Sequence, residues 1–272
     1  QRQMCIRDSN KIAAGEVVQR PSSVLKELLE NSIDANSSKI KIIIKNAGKN
    51  LIQVIDDGIG MSRNDMYKSF IKHATSKINK IDDVFSINSM GFRGEALAAI
   101  SSVSMIEMSS AKLNENDGYF IEINGGKVIT EKELIGNKGT SVKVQNLFYN
   151  VPARRNFLKS DFVELRHIIN VFNSIALSNN EIEFSFINND EEIFYLKKEP
   201  LKKRIISIFG EKIRENLIPI SEDTQIANLK GFILKPDFAK KSRINQYIFV
   251  NNRSIKSQFI NHSISSSFDG LL

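Results

Sequence analysis

The chain has 272 residues, of which 41% are hydrophobic, and 38 basic against 31 acidic residues give a formal net charge of +7. No run approaches the roughly 18 consecutive apolar residues that a membrane-spanning helix needs, and no early apolar block suggests a secretory signal. Cys5 is the single cysteine, which excludes an internal disulfide and a cysteine-based zinc site, so we expect a reducing compartment.

The first elements along the chain are predicted from helix-breaking residues and from helix N-cap residues. Residues 1–9, QRQMCIRDS, lack periodicity, and we expect them to be a non-native head. A helix is predicted from Pro21, because proline suits the first helical turn and the next breakers are at residues 36–38. Strands at 39–45 and 51–55 and a helix capped by Ser62 should follow.

The remainder of the chain alternates between strands and helices. Residues 74–94 are polar and irregular, and a short helix should begin near Glu95. Further strand-like and helical runs are predicted at 103–108, 119–123, 127–130, 141–148, 161–177, 183–187 and 193–196. These elements indicate an α+β fold, with a first domain at residues 10–178 and a second at residues 179–272.

Polar residues form a stripe along the first predicted helix. At about 100° per residue, its aliphatic side chains occupy one half of the circumference. The opposite arc carries three carboxylates and an amide, Glu27, Glu30, Asn31 and Asp34. A solvated acidic face would explain such a stripe, and the glycine-containing turn that follows two predicted strands is evidence against that interpretation.

Two glycine-containing segments are candidates for ligand contact. Asp56 ends a predicted strand and is followed by the turn Asp57-Gly58-Ile59-Gly60, where glycines permit close approach to the backbone. Residues 91–97, GFRGEAL, open into a helix, and free N–H groups at a helix start favour anions. An ordinary turn and a capped loop remain as alternatives. The sequence contains neither a P-loop nor a strand-led GxGxxG motif nor protein kinase signatures.

Taken together, these segments closely resemble the MutL family of DNA mismatch repair proteins. The resemblance covers about residues 10–272 and rests on six strings at 11–18, 26–35, 56–61, 73–78, 91–97 and 148–155, namely KIAAGEVV, KELLENSIDA, DDGIGM, HATSKI, GFRGEAL and FYNVPARR. Gyrase B subunits, Hsp90 chaperones and histidine kinases share single boxes. The resemblance implies a two-layer α/β sandwich that binds ATP and Mg²⁺, followed by a truncated domain similar to domain 2 of ribosomal protein S5.

The resemblance also implies a role for each matching residue. Glu27 would be the general base, Asn31 would ligate Mg²⁺, and Asp56 would accept the adenine amino hydrogen. The other implied nucleotide-binding residues are Gly58, Gly60, Thr75, Lys77, Gly91, Phe92, Arg93, Gly94, Leu97 and Thr140. Phosphoryl transfer requires positioned charge more than covalent help, which fits a slow ATPase that acts as a conformational switch.

Further implications concern partners and departures from the family pattern. The family implies ATP-dependent homodimerisation around DNA, contact with the mismatch-recognition protein MutS, no membrane, and a bacterial cytoplasmic location. Asn36 stands where family members commonly have glycine. We expect the chain to stop before the family's Asn-Val-His-Pro-Xaa-Lys segment, whose lysine reaches the terminal phosphate, and before the C-terminal dimerisation region.

One local segment is strongly basic. Between residues 235 and 256 the only acidic residue is Asp237, and the candidate DNA contacts there are Lys240, Lys241, Arg243, Arg253 and Lys256. Such residues suit phosphate contacts without sequence preference, although a solvated loop would explain them as well. Two functions therefore stay open, namely an ATPase switch of mismatch repair and a DNA-binding or scaffold fragment whose nucleotide site is idle.

Overall fold

A computed structural model describes residues 18–71, 95–112, 117–135, 138–225, 227–238 and 245–268. The chain divides into two compact units. The first comprises Gln1–Phe172 and Ile182–Lys197, and the second comprises Asn173–Glu181 and Lys198–Leu272. In the part of the chain that the structure describes, no helix is long and apolar enough to cross a membrane.

The first unit contains most of the regular structure. Its described helices are α1 (Pro21–Asp34), α2 (Arg63–Ser69), α3 (Ala96–Ser102), α4 (Pro152–Phe157) and the larger part of α5 (Asp161–Ser178). Its described strands are β1 (Lys39–Lys45), β2 (Leu51–Asp56), β3 (Met105–Ala111), β4 (Asp117–Asn124), β5 (Lys127–Ile135), β6 (Gly139–Gln145), β7 (Glu183–Asn188) and β8 (Glu191–Leu196).

These eight strands form one sheet in the order β5-β4-β3-β6-β2-β1-β7-β8. Every neighbouring pair is antiparallel except β1 and β7, which are parallel. The predicted second domain, residues 179–272, included β7 and β8, and the structure places both strands in the sheet of the first unit. A hairpin pattern in the sequence predicts that two strands pair with each other, but it does not predict which sheet the pair joins.

The core of the first unit lies between one face of the sheet and its helices. Alternate residues of the central strands are buried, as the aliphatic run Ile40, Ile42 and Ile44 in β1 illustrates. Phe172 of α5 packs edge-on against Phe184 and Phe186 of β7, with ring centroids 5.8 and 4.9 Å apart. This is a two-layer sandwich, because the helices cover the face on which the strands bury their side chains.

Helix α1 begins and ends for local reasons. Pro21 occupies the first helical turn, where a backbone N–H would have no intrahelical partner. The chain leaves the helix through Asn36, whose φ of 57° lies in the left-handed region that asparagine tolerates better than most residues. The N–H of Asn36 donates to the carbonyl of Ile33 at 2.9 Å. Asn36 can therefore form this turn, at the position where the family resemblance predicts a glycine.

The second unit has mixed helices and short strands. Its described elements, besides the end of α5, are α6 (Leu201–Phe209), β9 (Leu217–Asp223), β10 (Asn228–Leu234), β11 (Phe249–Val250), β12 (Arg253–Ser254) and α7 (Gln258–Ser267). Strands β9 and β10 form one antiparallel pair, and β11 and β12 form another. The hydroxyl of Ser257 caps α7 by accepting the N–H of Ile260 at 3.3 Å.

A fully buried arginine fixes the end of α5 in the second unit. Arg204 of α6 donates to the carbonyl oxygens of Ala176 at 2.9 Å and Asn180 at 3.1 Å. Its guanidinium lies 3.5 Å from the carboxylate of Glu199, which is also buried. A cation near the last carbonyl groups of a helix stabilises the helix. Arg204 therefore gives the carbonyl of Ala176, near the carboxyl end of α5, a hydrogen-bond partner.

Candidate nucleotide site

Three adjacent strands of the first unit bring polar side chains together at one end of the sheet. In the register of β2 with β6, Asp56 lies opposite Thr140. In the register of β6 with β3, Thr140 lies opposite Ser110. Asp56, Thr140 and Ser110 thus form a row across the sheet, and all three are at least nine-tenths buried. A row of buried polar groups needs hydrogen-bond partners, which the surrounding turns supply.

The carboxylate of Asp56 is held by three donors. Its Oδ2 accepts the hydroxyl of Ser32 at 2.8 Å, and its Oδ1 accepts the N–H of Gly58 at 3.0 Å and of Thr140 at 3.3 Å. Burial raises the pKa of the Asp56 carboxyl above its ordinary value, and these hydrogen bonds oppose the rise. The carboxylate is therefore oriented by the protein, and the side chain of Ser37 contributes to this as well.

The glycines of the turn after β2 are required by the protein's own backbone. A Cβ at Gly58 would lie 2.7 Å from the carbonyl oxygen of Ala35 and 2.7 Å from the hydroxyl of Ser37. A Cβ at Gly60 would lie 2.0 Å from the carbonyl oxygen of Ala111, and Gly60 has a φ of 68°. Close packing explains both residues. That they also make room for a base stays a prediction.

The polar stripe of α1 is half-buried. Glu27, Glu30, Asn31 and Asp34 are all of intermediate exposure, which disfavours a freely solvated acidic face. Burial raises the pKa of the Glu30 carboxyl, Lys26 at 3.4 Å lowers it, and repulsion from Glu27 and Asp34 raises it further. Neighbouring carboxylates that repel one another favour a bound cation.

The donor set of this stripe fits Mg²⁺, which prefers oxygen ligands and keeps several waters or phosphate oxygens. Asn31 offers an amide oxygen on the same helical face as Glu27, one turn away. Among the described residues no group of three or more His, Cys, Asp or Glu side chains is arranged to hold a metal ion. A magnesium ion here would therefore need nucleotide phosphates and water to complete its coordination.

Ser32 connects the helix with the strand end. It follows Asn31 in α1, is 4% exposed, and donates to Asp56 of β2. The structure thus places the helix that carries Glu27 and Asn31 beside the oriented carboxylate of Asp56. Sequence reasoning missed Ser32 and Ser110. The available signal for Ser32 was a hydroxyl directly beside the polar stripe, and for Ser110 it was a serine in an alternating strand.

The other predicted site residues are distributed as follows. Leu97 lies in the first turn of α3 and is half-buried. Arg253 in β12 and Lys256 after it are exposed residues of the second unit. Nine predicted residues lie outside the described part of the chain: Thr75, Lys77, Gly91, Phe92, Arg93, Gly94, Lys240, Lys241 and Arg243.

Comparison with protein families identifies both parts of the chain. Residues 19–147 match the histidine kinase-, DNA gyrase B- and HSP90-like ATPase family. Residues 205–272 match the C-terminal domain family of DNA mismatch repair proteins. The first match contains the row at the strand ends and α1, and the second contains Arg253 and Lys256.

Individual relatives agree with these families. The chain is 53% identical over 264 residues to the DNA mismatch repair protein MutL of Christiangramia forsetii and 52% identical over 264 residues to that of Flavobacterium psychrophilum. Each alignment covers 97% of this chain and 43% of the relative. The chain therefore spans less than half the length of the curated relatives that it matches.

Solved structures show the same architecture. The Aquifex aeolicus MutL ATPase domain complexed with ADP is 28% identical, with a TM-score of 0.69, and the alignment covers 92% of this chain and 88% of that one. The N-terminal domain of a DNA repair protein is 25% identical, with a TM-score of 0.81 and coverages of 96% and 83%. The predicted fold class, an ATPase-type sandwich followed by a domain like domain 2 of ribosomal protein S5, is confirmed. The chain belongs to the MutL family of DNA mismatch repair proteins, of which it carries the ATPase region.

Proposed function

We propose that this chain binds ATP together with Mg²⁺, hydrolyses it slowly, and uses the nucleotide as a conformational switch in DNA mismatch repair. The observation that carries the proposal is the carboxylate of Asp56, held by three protein donors next to Thr140 and tied through Ser32 to α1. A buried carboxylate with a spare lone pair is suited to accept a hydrogen bond from the amino group of adenine.

In this proposal the residues of α1 act on the phosphates. Mg²⁺ would offset phosphate charge when it is bound. Asn31 would hold that ion through its amide oxygen. Glu27 orients a water and takes its proton, because it lies on the same helical stripe as Asn31 without being one of the metal's ligands.

The contacts of Glu30 favour Glu27 as the base. Glu30 forms an ion pair with Lys26 at 3.4 Å, and its side chain is 15% exposed. This ion pair orients the Glu30 carboxylate toward Lys26, which leaves Glu27 as the better-placed carboxylate of the stripe to orient a water. Glu27 lies four residues, about one helical turn, before Asn31. It is therefore further along α1 from Ser32, the residue that donates to Asp56, and this separates the base from the adenine contact.

We propose the conformational switch because of the resemblance to the MutL family. ATP-dependent dimerisation, contact with MutS and contact with DNA are functions that we assign to the complete protein in which this region acts. An ordered nucleotide site in the first unit is consistent with them, because binding of a ligand to one state shifts a conformational equilibrium. The exposed residues Arg253 and Lys256 of the second unit support the assignment of DNA contact.

Calorimetry of ADP binding tests the base pocket. Replacing Asp56 with alanine removes the charged acceptor, so ADP affinity should fall about tenfold or more, the loss expected for a hydrogen bond to a charged group. Inorganic tripolyphosphate lacks the base and should bind equally well to both proteins. The control is Asp190→Ala, which removes a carboxylate paired with Lys45 at 3.1 Å in the hairpin of β7 and β8. Unchanged ADP affinity in Asp56→Ala would overturn the assignment of the pocket.

A further inference from the structure

The hydroxyl of Ser110 makes three polar contacts at the candidate site. Its Oγ accepts the N–H of Met61 at 2.8 Å, lies 3.1 Å from the carbonyl oxygen of Gly139, and lies 2.9 Å from the hydroxyl of Thr140. Ser110 is 4% exposed, so these protein groups take the place of water around it. Ser110 has one hydroxyl proton, so it can be the donor in only one of the last two contacts.

The carbonyl oxygen decides where that proton lies. A carbonyl has no hydrogen to give, so the contact between Ser110 and Gly139 is favourable only if Ser110 donates. If Ser110 instead donated to Thr140, its lone pairs would face the carbonyl oxygen of Gly139 at 3.1 Å without a hydrogen between them. With the Ser110 proton on Gly139, the hydroxyl proton of Thr140 must point at Ser110. All three contacts are then satisfied.

This arrangement fixes what Thr140 can offer a ligand. Its proton is engaged by Ser110, so its remaining capacity consists of lone pairs. Thr140 lies beside Asp56 in the sheet, and the carboxylate of Asp56 is an acceptor as well. Two neighbouring acceptors match a ligand group with N–H donors, and they disfavour a carbonyl oxygen at the same place.

We propose that Ser110 is a specificity-determining residue that sets the hydrogen-bond polarity of the base pocket, so that the pocket selects a purine with a 6-amino group over one with a 6-oxo group. The proposal rests on the nucleotide-binding function proposed above. Ser110 acts through Thr140 and is a positioning residue. It does not itself need to touch the base.

The variant Ser110→Ala releases the Thr140 proton, which can then be donated to a 6-oxo group. ADP and inosine diphosphate differ at this position and are not substrates for hydrolysis of a terminal phosphate, so their dissociation constants compare base recognition alone. The preference for ADP over inosine diphosphate should shrink by about five- to tenfold, the factor that corresponds to one neutral hydrogen bond of about 1 to 1.5 kcal/mol. Most of that change should come from tighter binding of inosine diphosphate.

Two matched variants separate this role from a loss of packing. Ser104→Ala removes a hydroxyl that is 0% exposed and donates to the carbonyl of Ile100 at 2.6 Å, so it should leave the preference unchanged. Thr140→Val removes the second acceptor and its proton together, so ADP should bind more weakly with no gain for inosine diphosphate. If Ser110→Ala does not fold, Ser110→Cys keeps the volume with a much weaker hydrogen bond and should shift the preference in the same direction.

The outcomes separate this inference from the proposed function. If the unaltered chain binds neither nucleotide, the proposed function itself is wrong. If the unaltered chain prefers ADP and a folded Ser110→Ala or Ser110→Cys protein keeps the same preference, the role of Ser110 is overturned while the nucleotide site stands. A reduced preference in the Ser110 variants together with an unchanged preference in Ser104→Ala supports the proposal.

Discussion

At the scale of single residues, the candidate site depends on contacts between backbone segments that are far apart in the sequence. Gly60 follows β2 and packs against the carbonyl oxygen of Ala111 at the end of β3. Gly139 begins β6, and a Cβ there would lie 2.0 Å from the carbonyl oxygen of Asp56. The same approach that excludes a side chain brings Thr140 within hydrogen-bond reach of both Asp56 and Ser110.

Replacing Gly60 with alanine should therefore destabilise the first unit by more than backbone strain alone. The added Cβ would lie 2.0 Å from a backbone oxygen that is fixed in a strand, and φ is 68°. The control is Gly126→Ala in the hairpin of β4 and β5, where φ is 81° but the nearest atom is 3.8 Å away. Chemical denaturation should show that the free energy of unfolding falls by about 1 kcal/mol in Gly126→Ala and by clearly more in Gly60→Ala. Equal losses would mean that the segment relaxes freely.

Hydroxyl positions could not be predicted from the sequence. Asp56 was identified because it ends a strand before a glycine turn, which is a local pattern. Ser32 and Ser110 became visible only once the sheet register placed them beside Asp56 and Thr140. The partner of a serine hydroxyl depends on tertiary contacts, and a strand serine has no local signature that distinguishes a buried network from a surface.

At the scale of elements, the predictions succeeded where periodicity and caps are local. Strand β1 was predicted at its observed bounds, because a run of isoleucines is flanked by lysines at both ends. Helix α2 was expected to run from about Ser62 to His73 and ends at Ser69. Its cap is confirmed, since the hydroxyl of Ser62 accepts the N–H of Asp65 at 3.2 Å. Strands β3 and β6 are displaced by about two residues, since their bounds depend on pairing with each other.

The short hairpin of β11 and β12 is the element that we assign to DNA contact. Replacing Arg253 with glutamate should weaken binding to all duplex and single-stranded sequences alike. The slope of log affinity against log salt concentration should become shallower by about one to two, since each phosphate contact contributes about 0.9 to it. Fluorescence anisotropy on random DNA across a salt series measures both quantities. The control is Lys202→Glu, which makes the same charge change at an exposed position of α6. If the two variants behave alike, only net charge matters and the hairpin is a solvated surface.

At the scale of the whole molecule, the sequence predicted two α+β domains with one boundary at residue 178, whereas the chain passes between the two compact units more than once. Residues 182–197 return to the first unit, because β7 pairs with β1 in parallel. A parallel pairing joins strands that are separated by more than a hundred residues, so local patterns cannot predict it. The family match was accessible from the sequence, since its motifs are contiguous strings.

The most direct test of the proposed switch measures ATP binding and ATP hydrolysis on the same Glu27→Ala protein. If Glu27 is the general base, ATP affinity should stay within a few-fold of the unaltered protein while turnover falls roughly 10²-fold or more. Asn31→Ala is the companion variant, and it should lose Mg²⁺-dependent binding because the ligand it deletes serves both ground and transition states. Turnover of the unaltered protein is measured alongside as the reference. Turnover close to that of the unaltered protein in Glu27→Ala would contradict the account, and Glu30 would then be the carboxylate to replace.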